Sequence, residues 1–251
     1  MKRQKTKYYF VAAAVAGCLL AALYGIRAYT ARVAAPYLSD HAAELPERKA
    51  ALLLGTSPKL ADGRSNTYFH LRIRAAADFI SQYKGADADE LGLLGICGGG
   101  GYSIKAAQTD KRFKSVATVS MFNTGDARRN GFMRSQKDTV QQRLAAAAEA
   151  RAKEAATGEV AYTPAFGAGM TPEQVAAIKV DLYRQGYDYY AQSHFHPNSQ
   201  TNSTVASLAD LMEFDVNTNV DLINQPLLMI AGDKADTLYM TEEVFANASG
   251  T

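Results

Sequence analysis

Residues Leu91–Tyr102, LGLLGICGGGGY, decide the fold. Leu91 to Ile96 is a short, continuous apolar run of the kind that forms a buried parallel strand. Cys97 and the glycines Gly98 to Gly101 follow, and Tyr102–Gln108 has the composition of a helix. Strand, tight turn and helix in that order put Cys97 on the turn. The local pattern is Gly95-Ile96-Cys97-Gly98-Gly99, G-x-C-x-G. A nucleophile raised on such a turn has strained backbone angles, so the residues two before and two after it must be small. A helix N-terminus behind a thiol favours the thiolate. The backbone N–H of Gly98 is a natural donor to an oxyanion. A glycine run also suits a phosphate-binding turn. This one matches neither G-x-G-x-x-G with a downstream acid nor a P-loop ending in Lys-Ser/Thr. The stretch therefore reads as a nucleophile elbow.

The neighbouring segments extend an α/β pattern. Arg74–Tyr83 spaces Ala76, Phe79 and Ile80 on one helical face, and Asp87 and Asp89 mark a loop before the strand. Ser115–Met121 is the next strand, and Leu227–Ala231, ended by Gly232, is a further one. Between them lie a charged, Ala-rich helix over about 135–154, a second starting at Thr171-Pro172-Glu173, and a third over Asn202–Met212. Thr as N-cap, Pro at the first helical position and an acid in the first turn are helix-start signals.

Gly92–Gly125 (GLLGICGGGGYSIKAAQTDKRFKSVATVSMFNTG), Tyr189-Tyr190, His196-Pro197-Asn198 and Pro226–Thr237 (PLLMIAGDKADT) resemble the dienelactone-hydrolase-related α/β hydrolases. The resemblance covers about 74–251. It implies a partial three-layer α/β-hydrolase-like domain with a short, mainly parallel sheet of about four strands and a helical lid at about 126–215. It also implies a nucleophile, an acid and a histidine in that chain order. Cys97 takes the first place. The acid follows the strand that ends at Gly232, with Asp236 the first choice and Asp233 the second. The histidine is expected after one more strand, yet His41, His70, His194 and His196 all precede the acid. The early loop that supplies a second oxyanion donor in such hydrolases has no counterpart before the elbow. The implied chemistry is attack on an ester, thioester or lactone of a small molecule through Cys97, impaired by the missing histidine and needing no cofactor. His194-Phe195-His196 has the spacing of a ligand pair, but no third ligand of known spacing accompanies it, so no metal site is expected.

The amino-terminal part reads differently. Lys2, Arg3, Lys5 and Lys7 form a basic head over 1–7. Tyr8 to Ile26 then runs without a charge, and a run of roughly 20 apolar residues matches the hydrocarbon thickness of a bilayer. A single-pass anchor over 8–28 is expected, with a cytoplasmic head and the remainder outside the bacterial inner membrane. A cleaved signal peptide is a less fitting alternative, because the run is long for one. Val15-Ala16-Gly17-Cys18 also has the look of a lipoprotein cleavage box. Ala50–Gly55 reads as a strand, followed by a turn at Thr56-Ser57-Pro58. Ala35-Pro36-Tyr37, Leu45-Pro46 and Leu52–Ile73 resemble the SanA type of bacterial envelope-barrier protein, over about 2–73 with the strand and loop at 29–73. Gly55, Thr56 and Ser57 at a strand's carboxyl end can offer backbone N–H groups to an anion, although an ordinary βα turn has the same composition. The two resemblances meet near Arg72–Ala76, so the chain reads as chimeric, with a hydrolase body that stops short. The alternative function is that of a membrane-anchored envelope protein without catalysis.

Bulk properties agree with this. Of the 251 residues 47% are hydrophobic, enough for a core, and a net charge of +2 is too small for a nucleic-acid binder. Cys18 and Cys97 sit in apolar runs and form no disulfide framework. Oligomeric state is not legible.

Overall fold

The computed structural model describes residues 17, 20–22, 24–33, 35, 51–53, 67–197 and 201–250. Helix α1 (Thr67–Ser81) leads through a short 3-10 turn to strand β1 (Gly92–Ile96), then helix α2 (Gly98–Ala107) and strand β2 (Ser115–Val119). An insertion follows with α3 (Thr124–Asn130), α4 (Val140–Thr157), α5 (Pro172–Ala176), α6 (Asp181–Gly186), a π-helix (Tyr187–Ser193) and α7 (Leu208–Glu213). Strand β3 (Leu227–Ile230) and helix α8 (Leu238–Asn247) close the described fold. The three strands are all parallel, in the order β1-β2-β3, with Leu93, Val116 and Leu227 side by side and Gly95, Thr118 and Met229 one step further on.

Strand alternation assigns the two faces. Val116 points into a core built around Ile104, Met121, Val220, Ile223, Met240 and Val244, so helices α2 and α8 lie on that side. Two buried amides hold the same side together. Gln108 Nε2 donates to Val216 O at 2.9 Å, and Gln225 Nε2 donates to Ala107 O at 3.0 Å. The opposite face carries Leu94, Ile96, Leu228 and Ile230, all of them exposed, with Leu94 at 64% and Leu228 at 59%. A parallel sheet is ordinarily covered on both faces. Nothing among the described residues covers this one, so Leu228→Thr is expected to change unfolding free energy by less than about 0.5 kcal/mol. A loss above about 2 kcal/mol in urea unfolding would mean the face is buried in solution.

Several sequence expectations need correction. The second helix begins at Gly98 rather than Tyr102, because close packing of Gly100 on Met121 outweighs the poor helix propensity of glycine. The Ala-rich helix begins at Val140 and runs to Thr157, after a 3-10 turn over Lys137–Thr139. Its Arg143 donates to the carbonyls of Arg128 and Arg129, each at 2.6 Å, satisfying the end of α3. The expected third helix of the insertion shrinks to α7, because Thr204 instead pairs with Tyr162 in an isolated antiparallel bridge. The Thr171 start is as expected, with Thr171 and Gln174 forming a reciprocal capping box.

Residues 51–53 carry no strand, and Leu52 is 87% exposed. Among the described residues no strand pairs with this run, and the sheet has three strands there rather than four. Residues 20–22 and 24–33 are helical, but among the described residues no helix is long and apolar enough to cross a membrane. The remainder of the expected anchor, residues 8–16, 18, 19 and 23, lies outside the described residues. So do Gly55, Thr56 and Ser57 of the expected anion turn, and His41.

Candidate active site at the Cys97 turn

Cys97 has φ 53° and ψ −124°, a backbone geometry rare for any residue but glycine. Such strain persists only where the surroundings over-determine it. Here three hydrogen bonds do so. The Cys97 N–H donates to Val119 O at 3.0 Å, and the Cys97 carbonyl accepts from Gly100 N and Phe122 N, each at 2.9 Å. The side chain is left exposed at the carboxyl end of β1, over the N-terminus of α2. Gly98 is the first residue of that helix, so its N–H has no acceptor within the helix.

The glycine requirement is uneven. A Cβ on Gly95 would lie 2.5 Å from Gly99 O and from Ser103 Oγ, and 2.6 Å from the Gly100 Cα. A Cβ on Gly99 would meet nothing within 4 Å. The turn thus needs its small residue before the cysteine, not the one expected two places after it.

Asp236 lies in the loop between β3 and α8, so the structure puts it and Cys97 at the same end of one sheet, on strands that flank β2. It is half-buried, and its Oδ2 accepts the Leu182 N–H at 2.8 Å, capping the first turn of α6. Asp233 is exposed. Among the described residues no hydrogen bond joins Cys97 to Asp236. His194 ends the π-helix, stacked on Tyr189 with ring centroids 4.3 Å apart. Its Nδ1 lies 2.8 Å from Ser193 Oγ, whose own proton goes to the Asp188 carbonyl at 2.8 Å. That leaves Ser193 Oγ to accept the His194 Nδ1–H. Among the described residues no group of three His, Cys, Asp or Glu could hold a metal ion.

Sequence reasoning missed a polar network beside the turn. Asn123, buried and next to Phe122, caps α3 by accepting the Asp126 N–H at 3.3 Å. Its Nδ2 donates to Asp215 Oδ1 at 2.9 Å, and Arg129 donates to Asp215 Oδ2 at 2.6 Å. Burial alone would raise the Asp215 pKa, but hydrogen bonds from Asn123, Asn217 and Arg129 outweigh it and hold the carboxyl below its ordinary value. An asparagine just after a strand and before a helix is a readable cap signal. Its pairing with an aspartate 92 positions away has no sequence signal.

Comparison with known proteins agrees with the fold. No family profile matches the chain. The chain is 28% identical over 180 residues to the protein YcjY of Escherichia coli K12, covering 70% of this chain and 57% of that one. It is 32% identical over 183 residues to PA2218 of Pseudomonas aeruginosa, covering 70% and 47%. It thus spans about half the length of the curated relatives it matches. Among solved structures it superposes on the crystal structure of PA2218 with a TM-score of 0.59 at 27% identity, covering 70% of this chain and 55% of that one. On the α/β hydrolase GrgF of Penicillium sp. sh18 the TM-score is 0.52 at 15% identity, covering 70% and 57%. On DcsB, solved in complex with its substrate analogue, it is 0.56 at 17%, covering 71% and 59%. The fold is α/β-hydrolase-like, a mixed α/β arrangement around a short parallel sheet.

Proposed function

We propose that this is a hydrolase-type domain, of the dienelactone-hydrolase-related kind, that takes an acyl group from a small ester, thioester or lactone onto Cys97. The observation that supports this most is the backbone of Cys97, held at φ 53° with its side chain exposed over a helix N-terminus. In the first step the Cys97 thiolate attacks the carbonyl carbon. The carbonyl oxygen takes up the electron pair beside the Gly98 N–H, then the C–S bond is kept as the C–O or C–S bond to the leaving group breaks. The leaving group departs as alkoxide or thiolate and takes its proton from water. Asp236 is assigned the acid's place. No general base is assigned for deacylation, and the step predicted is acylation of Cys97.

The test is release of nitrophenolate from p-nitrophenyl acetate, with the protein mass followed in parallel. The expected result is a burst of about one equivalent per chain, an acetyl adduct on Cys97, and neither in Cys97→Ala. An equal burst from Cys97→Ala would overturn the reading and leave the envelope protein without catalysis in its place. The apolar run Tyr8–Ile26 within the expected anchor at 8–28 supports a further proposal, that the domain is held at the bacterial inner membrane on its periplasmic side. Deletion of residues 1–28 should then move the chain from the membrane pellet to the soluble fraction.

A further inference from the structure

The Cys97 carbonyl is held from two directions. Gly100 belongs to the helix that follows the cysteine, and its bond forms with that helix. Phe122 belongs to the loop after the neighbouring strand, so its N–H, together with the bond from the Cys97 N–H to Val119 O, ties the cysteine turn to the rest of the domain. What fixes Phe122 is its neighbour. Asn123 is 2% exposed, and every polar group it carries on that side is used. Its N–H meets Met240 Sδ at 3.3 Å, its Oδ1 accepts the Asp126 N–H, and its Nδ2 donates to Asp215. Asp215 is held in turn by Arg129 and by the Asn217 N–H at 2.9 Å. A buried side-chain amide held at both its nitrogen and its oxygen has a fixed orientation, and the backbone beside it is restrained with it.

We infer that Asn123 and Asp215 are positioning residues for the Cys97 turn, acting through the Phe122 N–H on the Cys97 carbonyl. The inference rests on the reading of Cys97 as nucleophile and deepens it. Neither side chain touches the thiol. They hold the strained turn in the conformation that presents it, as supporting hydrogen bonds orient the reacting groups of active sites generally.

Asn123→Asp is the cleanest cut. It keeps the side-chain oxygen that caps Asp126, changes almost no volume, and sets a carboxylate against the Asp215 carboxylate where a donor stood. The double variant Asn123→Asp with Asp215→Asn restores one amide facing one carboxylate with the roles exchanged. Hydrogen–deuterium exchange over the segment containing Phe122, together with the rate of Cys97 alkylation by iodoacetamide, reads the effect in the full chain. In Asn123→Asp the Phe122 amide is expected to exchange roughly tenfold faster and Cys97 to alkylate several-fold more slowly. The double variant is expected to recover part of both, since the Asn217 N–H loses the acceptor it shares at Asp215 Oδ1. Wild-type exchange and alkylation in Asn123→Asp, or a double variant no better than the single one, would sink the inference. If Asn123→Asp does not fold, the double variant decides: alkylation recovered in part or in full supports the pairing, and failure to recover it counts against. Should wild-type Cys97 alkylate no faster than free cysteine while the Phe122 exchange still follows the pair, the nucleophile reading falls and the lock on the turn stands.

Discussion

Gly95→Ala is expected to disrupt the cysteine turn. The added Cβ would stand 2.5 Å from the Gly99 carbonyl oxygen and 2.6 Å from the Gly100 Cα, both backbone, and 2.5 Å from Ser103 Oγ. The serine can rotate away, but the first turn of α2 cannot retreat without losing its own contact. Gly100 is already close against Met121, where a Cβ would lie 3.1 Å from the Met121 Cα. The strain falls at the upper end of the ~1–3 kcal/mol of overpacking, or beyond it. It falls on the helix whose N-terminus backs Cys97. Urea unfolding should show the lost stability, and the acylation burst proposed for Cys97 should be lost even where the fold survives. Gly99→Ala is the matched control, because nothing lies within 4 Å of its added Cβ. Alanine there is expected to be neutral or to stabilise the helix by up to about 1 kcal/mol. Equal behaviour of the two variants would mean that α2 does not sit against β1 in this way.

Ile104→Ala is expected to cost about 2–5 kcal/mol. Ile104 is fully buried in α2, in the same cluster as Val116, Met121, Ile223 and Val244. Its removal leaves a cavity walled by the other members of that cluster. Natural domains have only about 5–15 kcal/mol in hand, so this single truncation takes a large share. Ile104→Val, which removes one methyl group, should cost about 0.5–1.5 kcal/mol. A midpoint shift for Ile104→Ala equivalent to less than about 1 kcal/mol would contradict the packing of α2 on the strands.

Much of the fold is legible because its signals are local. The run Gly92–Ile96, the four glycines and the helix after them lie within about a dozen residues, and each type of element has its own periodicity or composition. The Thr171 start was readable for the same reason, since a capping box spans only one helical turn. The seat of Cys97 follows from the motif, and the left-handed backbone at that residue is the conformation such a turn requires. The start of α2 was misread because propensity counts the glycines against a helix, while contact with Met121 outweighs it. Residues 51–53 of the strand expected at 50–55 were misread because an apolar run states that a segment prefers burial, not which neighbour buries it.

The sequence alone determined that the protein has a strand–turn–helix with a cysteine at its apex, within an α/β chain that carries an insertion between its second and third described strands. Local backbone sterics suffice for that, because few sequences other than small residues around the turn permit it. Only the tertiary structure decided which glycine the turn depends on, that Asp236 caps helix α6, and that Asn123 meets Asp215 next to the loop bonded to Cys97. Those contacts join residues far apart in the chain. Each requires the sheet and the insertion to be packed together first, and no short stretch of sequence carries that information.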